Sequence, residues 1–220
     1  MARVFLLSPA RCDGQRARLL LNRRAEFDLA RRVRAAGAPI GEVFSFLSGL
    51  YFRGKLAYAR SFGSCADGQS PAYVITTDRG LVVPETLVRH RDLVAFSKVD
   101  IARGGPRHRV PLDRDVEQLA ASLGPRDQVI LLGSIATGKY ADTLIAVFGE
   151  RVLFPIDFVG RGDMSRGGLL LRHVRAQREL EYQPIAGATR HGKRPPKLAP
   201  FAASVEANAP SLLGSACLLP

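Results

Sequence analysis

The sequence is poor in cysteine and has no pattern of metal ligands. Its three cysteines, Cys12, Cys65 and Cys217, lie far apart and form no Cys-x-x-Cys pair. This spacing argues against a disulfide framework and against a zinc site. The four histidines show no metal-binding spacing either. We therefore expect no metal and no cofactor, and a reducing cytoplasm as the compartment.

Long apolar runs are also absent. The apolar run near the start, in MARVFLLSPAR, is far too short for a signal peptide. No segment approaches the roughly 20 apolar residues that a transmembrane helix needs. We expect a soluble protein without a membrane partner; the oligomeric state stays open at this stage.

Lysine is scarce although the chain is strongly basic. Of its 32 basic residues only five are lysine, and the net charge is +12. Such a charge is typical of proteins that bind polyanions. An arginine-rich composition, as a GC-rich genome produces, explains the same numbers, so both interpretations remain open.

Short apolar runs alternate with segments of helical spacing along the 220 residues. Alternation of this kind predicts a single compact α/β domain with a mostly parallel or mixed central sheet and helices on both faces. We place this domain at residues 1–188 and predict a basic, proline-rich and flexible tail at 189–220. The predicted strands are 3–7, 72–76, 128–132, 151–154 and 181–185, and the predicted helices are 23–36, 49–62, 113–122, 139–148 and 164–179.

Four loops with unusual polar content follow predicted strands, after Leu7, Thr76, Leu132 and Phe154. In open α/β sheets, ligands bind beyond the carboxyl ends of the strands. We therefore expect these loops to meet at one ligand cleft. An ordinary turn is the alternative for the first loop, SPARCDG, and an Asx turn closed by Gly80 is the alternative for the second, TTDRG.

The candidate anion-binding residues are the hydroxyl, lysine and arginine side chains of these loops and of the segment SGLYFRGKLAYAR. Hydroxyl and guanidinium groups at loop ends and helix starts bind phosphate well. A half-buried helix whose cations reach outward is the alternative for SGLYFRGKLAYAR. The candidates are Ser8, Arg11, Ser48, Tyr51, Arg53, Lys55, Thr77, Arg79, Ser134, Lys139, Tyr140, Arg161, Ser165 and Arg166.

Four carboxylates are candidates for catalysis: Asp78, Glu85, Asp157 and Asp163. Cleavage of an N-glycosidic bond needs a carboxylate to stabilise an oxocarbenium-like centre or to activate water. The segment GSIATGKY lacks the Walker spacing because Tyr140 follows Lys139, which argues against an ATPase. We interpret Cys12 as a buried or surface thiol, because no histidine is marked out to activate it.

Several short motifs resemble the peroxide-stress protein family YaaA. The opening strand with SPAR is similar to that family's strand and SPAK, and RGDMSR (161–166) is similar to its RGLMSR. The segment YVITTDRGLVVPE also resembles a strand and loop of archaeosine synthases and tRNA-guanine transglycosylases. The resemblance implies a positively charged cleft, DNA binding, a role in stress response and a base-directed or glycosidase-like activity. Arg11 stands where the family has lysine.

Three functions follow from these observations. The first is an enzyme acting on a nucleic acid or nucleotide, which cleaves or exchanges an N-glycosidic bond. The second is a non-catalytic DNA- or RNA-binding stress protein. The third is a biosynthetic enzyme whose substrate is a small anionic metabolite. Carboxylates that converge in a closed pocket would favour an enzyme, whereas an open basic groove would favour binding alone.

Overall fold

The centre of the fold is a mixed sheet whose inner four strands are parallel. The structure, a computed structural model, describes residues 1–66, 68–136, 138 and 140–198. The sheet contains six of the strands found in these ranges, and two short strands pair separately. The strands are β1 (Arg3–Leu7), β2 (Ala38–Pro39), β3 (Ala72–Ile75), β4 (Leu81–Val82), β5 (Leu87–Val88), β6 (Gln128–Leu132), β7 (Val152–Pro155) and β8 (Tyr182–Pro184).

Helices flank the sheet and supply most of the remaining regular structure. Short 3₁₀ turns at Ile101–Arg103, Gly149–Arg151 and Ile156–Phe158 connect some of them. The α-helices are α1 (Gln15–Leu21), α2 (Asp28–Arg34), α3 (Ile40–Ser48), α4 (Leu50–Phe62), α5 (His90–Ser97), α6 (Pro106–Ser122), α7 (Ala141–Phe148) and α8 (Asp163–Arg175).

The strand order is β4-β3-β1-β6-β7-β8, with antiparallel strands only at the two edges. From β1 the chain crosses to β3 on one side, and from β6 it crosses to β7 on the other. Right-handed crossovers in opposite directions place α4 and α7 on opposite faces of the sheet. The loops after β1 and β6 therefore diverge and open a crevice between them, which is the topological switch point of the sheet.

Strands β1 and β6 form the buried centre of the core. The residues from Val4 to Leu7 and from Val129 to Leu132 are all fully buried, as expected for parallel strands covered on both faces. The predicted mixed α/β sheet of a single compact domain is confirmed. Helices α1, α3 and α5 and the two-residue strands β2, β4 and β5 were not among the predicted elements.

The described part of the predicted tail contacts the domain. Arg190 donates a hydrogen bond to the Asp142 carboxylate at 3.0 Å, and the Pro196 carbonyl accepts one from Arg161 at 3.4 Å. Leu198 is partly buried against the core. Residues 199–220 lie outside the described residues, so the flexibility of the tail stays a prediction.

Two glycines allow helices α4 and α8 to pack in backbone contact. A Cβ atom built on Gly167 would lie 2.7 Å from the carbonyl oxygen of Leu50 and 2.8 Å from the Cα atom of Tyr51, and one on Gly54 would lie 2.8 Å from the Gly167 carbonyl oxygen. These distances are too short for any side chain. The pair Gly167-Gly168 is locally unfavourable within a helix, and the close approach explains the first of the two.

We expect Gly167→Ala to destabilise the protein by about 2 kcal/mol, because the added methyl group forces the two helix backbones apart. Gly168→Ala is the matched control. Its methyl group would meet only Leu198 Cδ1, at 3.5 Å, so higher helix propensity should stabilise the protein by up to about 1 kcal/mol. Urea unfolding of both variants measures the difference. Equal effects would contradict a backbone contact at Gly167.

Candidate functional site

A cleft of about 790 Å³ opens at the carboxyl ends of β1 and β6. Its volume lies in the range of small-ligand sites. Loops after both strands line it, together with α1, the end of α3, the start of α4 and the start of α8. Seven of the candidate residues line this cleft: Ser8, Arg11, Ser48, Tyr51, Ser134, Tyr140 and Asp163.

Lys55 lies directly behind the cleft and is 1% exposed. Its Nζ atom donates to the Ser8 carbonyl oxygen at 2.5 Å and lies 2.9 Å from Ser8 Oγ. The same atom sits over the rings of Tyr51 and Phe52, at 4.5 and 4.7 Å from their centroids. Burial lowers the pKa of Lys55 to about 7; Asp163 opposes this shift and Arg166 adds to it. A large fraction of the lysine is therefore the neutral amine near pH 7.

Helix α4 positions this lysine because its buried residues recur at helical spacing. Tyr51, Lys55 and Tyr58 follow one another at i, i+4 and i+7, so they share the face that packs on the sheet and on α8. Arg53 and Arg60 lie on the other face and are exposed. The predicted anion binder Arg53 is thus outside the cleft, since a step of two residues along a helix turns a side chain away.

Two buried tyrosines flank the Ser8 hydroxyl. Burial raises the pKa of Tyr51, whose hydroxyl has no hydrogen-bond partner among the described residues. The Arg166 guanidinium favours the Tyr51 phenolate without completing a hydrogen bond. Burial also raises the pKa of Tyr140, against the effect of the neighbouring Ser8 hydroxyl. Both phenols are therefore neutral hydrogen-bonding groups at pH 7.

A glycine keeps the end of β6 close to Ser8. A Cβ atom on Gly133 would lie 2.9 Å from Ser8 Cβ, 3.2 Å from the Tyr140 hydroxyl and 3.3 Å from Ser8 Oγ. Any larger residue would displace the serine that Lys55 holds. Gly133, the first residue of GSIATGKY, therefore contributes close packing at the site. Lys139 and Thr137 lie outside the described residues.

Arg166 supports the site from helix α8 and does not line the cleft. Its side chain donates two hydrogen bonds to the Phe158 carbonyl oxygen, at 3.2 and 2.9 Å, and stacks over the Phe158 ring. Asp163, the first residue of α8, is 71% exposed and lies 3.9 Å from the Arg166 guanidinium. A carboxylate at a helix N-terminus is favourable for the helix, and here it also faces the cleft.

A second cavity of about 570 Å³ adjoins the cleft on the other side of the Pro9–Asp13 loop. Thr77 lines this second cavity, and Asp78 accepts a hydrogen bond from Arg107 at 3.2 Å. Cys12 is buried here, and desolvation raises its pKa to about 12. A thiol with so high a pKa is a poor nucleophile at neutral pH.

The remaining candidates lie outside the cleft, because the chain leaves each of the other strands in a different direction. Strand β4 turns back along β3, which carries Glu85 away to an exposed ion pair with Arg60 at 3.0 Å. The 3₁₀ turn after β7 leaves Asp157 exposed. Arg79 pairs with Asp92 at 2.5 Å, over the Phe96 ring. Arg161 donates a hydrogen bond to Ser165 Oγ at 3.2 Å, and both residues line a separate cavity beside residues 194–198.

Residues that the sequence interpretation did not single out complete the cleft wall. Helix α1 contributes Gln15, Arg16 and Arg18, and Arg16 donates to the Phe46 carbonyl oxygen at 3.0 Å. The sequence did contain a signal for these residues, because the segment 8–22 is rich in arginine. His108 lies outside the cleft wall, buried with its Nδ1 atom 3.1 Å from the Thr77 carbonyl oxygen. No pattern in the neighbouring sequence predicted that burial.

A basic pocket of about 480 Å³ lies beyond the far end of α1, and none of the described residues that line it is a carboxylate. Two of its arginines have a carboxylate nearby: Arg34 lies 3.8 Å from Glu26, and Arg91 lies 3.8 Å from Asp92. Several arginines around one cavity attract anions strongly. The residues lining this pocket are Arg23, Arg34, Ala35, Arg89, His90 and Arg91.

The fold and the cleft define a doubly wound α/β protein with a candidate ligand site at its topological switch point. Comparison with protein-family models, with curated proteins and with solved structures finds no match. Within the described residues, no helix is long and apolar enough to cross a bilayer. The same residues contain no group of three or more His, Cys, Asp and Glu side chains placed to hold a metal ion.

The buried lysine makes stability depend on pH in a specific window. The pKa of Lys55 is about 7 in the folded protein and about 10.4 in an unfolded chain. Between these values the unfolded chain binds more protons, so this group makes the free energy of unfolding rise with pH, by up to about 5 kcal/mol. Below pH 7 the full cost of burying the charge remains.

We expect Lys55→Met to lose this rise between pH 7 and 10, whereas Lys98→Met, at an exposed position, should retain it. Urea unfolding at several pH values checks the prediction. An unchanged pH profile in Lys55→Met would contradict the shifted pKa.

Proposed function

We propose that this protein is an enzyme that acts on the base of a nucleotide or nucleic acid, in the cleft at the switch point. The carrying observation is that Ser8 and the buried Lys55 meet beneath this cleft. A buried lysine with a pKa near 7 is suited to proton transfer at neutral pH. We keep the cytoplasm as the expected compartment.

The composition of the cleft wall suits a substrate that carries both a phosphate and the ring of a base. Arg11, Arg16 and Arg18 line the wall, and Arg11 is 84% exposed although it pairs with Asp13. Guanidinium groups bind phosphate oxygens in a forked geometry. The buried hydroxyls of Tyr51 and Tyr140 offer polar groups that could read the edge of a base.

Cleavage or exchange of an N-glycosidic bond is the reaction that we assign to this site. Asp163 and Asp13 are the carboxylates that line the cleft, and a carboxylate there can stabilise an oxocarbenium-like centre. Among the four carboxylates selected from the sequence, Asp163 is the one the geometry favours. The resemblance to the YaaA and tRNA-guanine transglycosylase families points the same way and stays a prediction.

The second candidate is a non-catalytic DNA- or RNA-binding protein, in line with a role in stress response. The basic pocket around Arg34 and Arg89 favours it, because this pocket lies outside the cleft and would hold a phosphate backbone without any chemistry. The two functions differ in whether Lys55 is needed for more than the fold.

We expect the wild-type protein to release free base from an oligonucleotide or nucleoside, and Lys55→Met to lower the rate by about 100-fold or more, as removal of a general base does. Liquid chromatography with mass detection measures the released base. Oligonucleotide affinity should change little in Lys55→Met. Binding without release in the wild type would favour the non-catalytic function. Neither binding nor release would leave a small anionic metabolite as the substrate.

Binding should also depend on where a charge is removed. Arg18→Gln removes a cation from the cleft wall, whereas Arg32→Gln removes one that is already paired with two carboxylates. We expect the first variant to weaken oligonucleotide binding more and to reduce the salt dependence by about one phosphate contact. Fluorescence anisotropy at low and moderate salt measures both. Equal losses would indicate nonspecific attraction by the net charge.

A further inference from the structure

The Ser8 hydroxyl stands between the cleft and the buried amine. Ser8 lines the cleft and is 6% exposed. Lys55 is 1% exposed and is not part of the cleft wall. A substrate in the cleft therefore meets the serine oxygen first, and the lysine reaches the substrate only through that oxygen. This order distinguishes the roles of the two residues.

We propose that Ser8 is a nucleophile that takes the transferred sugar of the substrate covalently and that Lys55 is the base that removes its proton. This inference rests on the proposed function for the identity of the substrate, a nucleoside or nucleotide attacked at C1′. The pairing of the two side chains itself is independent of the substrate.

The surroundings hold the amine in the neutral form that a base requires. A neutral amine keeps one lone pair and two N–H groups. The Ser8 carbonyl oxygen takes one N–H at 2.5 Å, which leaves the lone pair for the Ser8 hydroxyl 2.9 Å away. The charged groups facing Lys55 are Asp163 and Arg166, both on α8, and they act in opposite directions on its pKa. Tyr51 on its own helix and Tyr140 beside Ser8 are uncharged at pH 7 because burial raises the pKa of each.

The reaction balances with water as the second substrate. In the first step the Ser8 O–H proton passes to Lys55, the Ser8 oxygen forms a bond to C1′, and the C1′–N bond breaks with its electron pair going to the base. A water molecule in the cleft protonates the departing base. In the second step the resulting hydroxide attacks C1′, the bond to Ser8 breaks, and Lys55 returns its proton to the serine oxygen. The sum is a nucleoside and water giving a free base and a free sugar.

A fluorophosphonate probe tests the nucleophile without knowledge of the substrate. Such a probe forms an oxygen–phosphorus bond with an activated serine and loses fluoride. We expect one adduct per chain, mapped to Ser8 by peptide mass spectrometry, with a rate that rises through about pH 7 and is level above it. Ser8→Ala should abolish the adduct. Ser61→Ala, at an exposed position on the same helix as Lys55, should leave the rate unchanged.

Lys55→Met should lower the labelling rate by about 100-fold or more, with circular dichroism used to check that the variant folds. If it does not fold, the pH profile of the wild type decides instead. No adduct on Ser8 in folded wild-type protein would overturn the proposal. Labelling that is independent of pH between 6 and 8, or unchanged in folded Lys55→Met, would overturn the role of the lysine.

The two proposals fail separately. Labelling of Ser8 without base release from any nucleotide would support the nucleophile and contradict the proposed function. Base release that persists undiminished in Ser8→Ala would support the proposed function and overturn the nucleophile. Each variant is therefore assayed with both the probe and the oligonucleotide.

Discussion

The contact between the buried amine of Lys55 on helix α4 and Ser8, the residue that follows strand β1, is the interaction around which the site is built. Burying a lysine without hydrogen-bond partners in an apolar core costs free energy of folding. Its neighbours must therefore offer it hydrogen-bond partners in place of water. The Ser8 carbonyl oxygen accepts a hydrogen bond from the amine, and the Ser8 hydroxyl lies within hydrogen-bond distance of it. The aromatic rings of Tyr51 and Phe52 cover the amine on its own helix. The same burial that makes the lysine costly for stability makes it useful as a base, because it favours the neutral form.

Backbone contact between two helices makes that burial possible. Gly54 lies one residue before Lys55, and the Gly167 carbonyl oxygen fills the space where its side chain would stand. Helix α8 therefore sits close enough to α4 for Asp163 and Arg166 to act on the lysine. Gly133 has the corresponding function at the end of β6, where it leaves room for Ser8 and Tyr140. Three glycines thus set the distances in the site, although none of them takes part in chemistry.

The sequence predicted the mixed α/β fold, and two of the four loops expected to meet, those after Leu7 and Leu132, line the cleft. Strands such as Arg3–Leu7 and Gln128–Leu132 are short apolar runs, and hydrophobic runs of this length between polar loops are a reliable signal. Ser8 and Ser134 could be predicted to lie at the cleft because they closely follow the carboxyl ends of those two strands. Glu85 could not be placed from sequence, because a two-residue strand that reverses direction leaves almost no periodic signal. The pairing of Ser8 with Lys55, 47 residues apart, depends on tertiary packing alone.

The charge of the protein has two separate distributions, and they bear on function differently. Many arginines are engaged in ion pairs or carbonyl contacts, as Arg32 and Arg166 are. Such arginines stabilise loops and helix ends and add little to an external field. The arginines of the cleft wall and of the basic pocket beyond α1 face cavities, although Arg11, Arg16 and Arg34 among them also contact a carboxylate or a carbonyl oxygen. Helix α1 connects the two, and its seven residues span only about 10 Å. A strand of nucleic acid with a base in the cleft could therefore place a flanking phosphate at the basic pocket, whereas a free nucleotide would occupy the cleft alone.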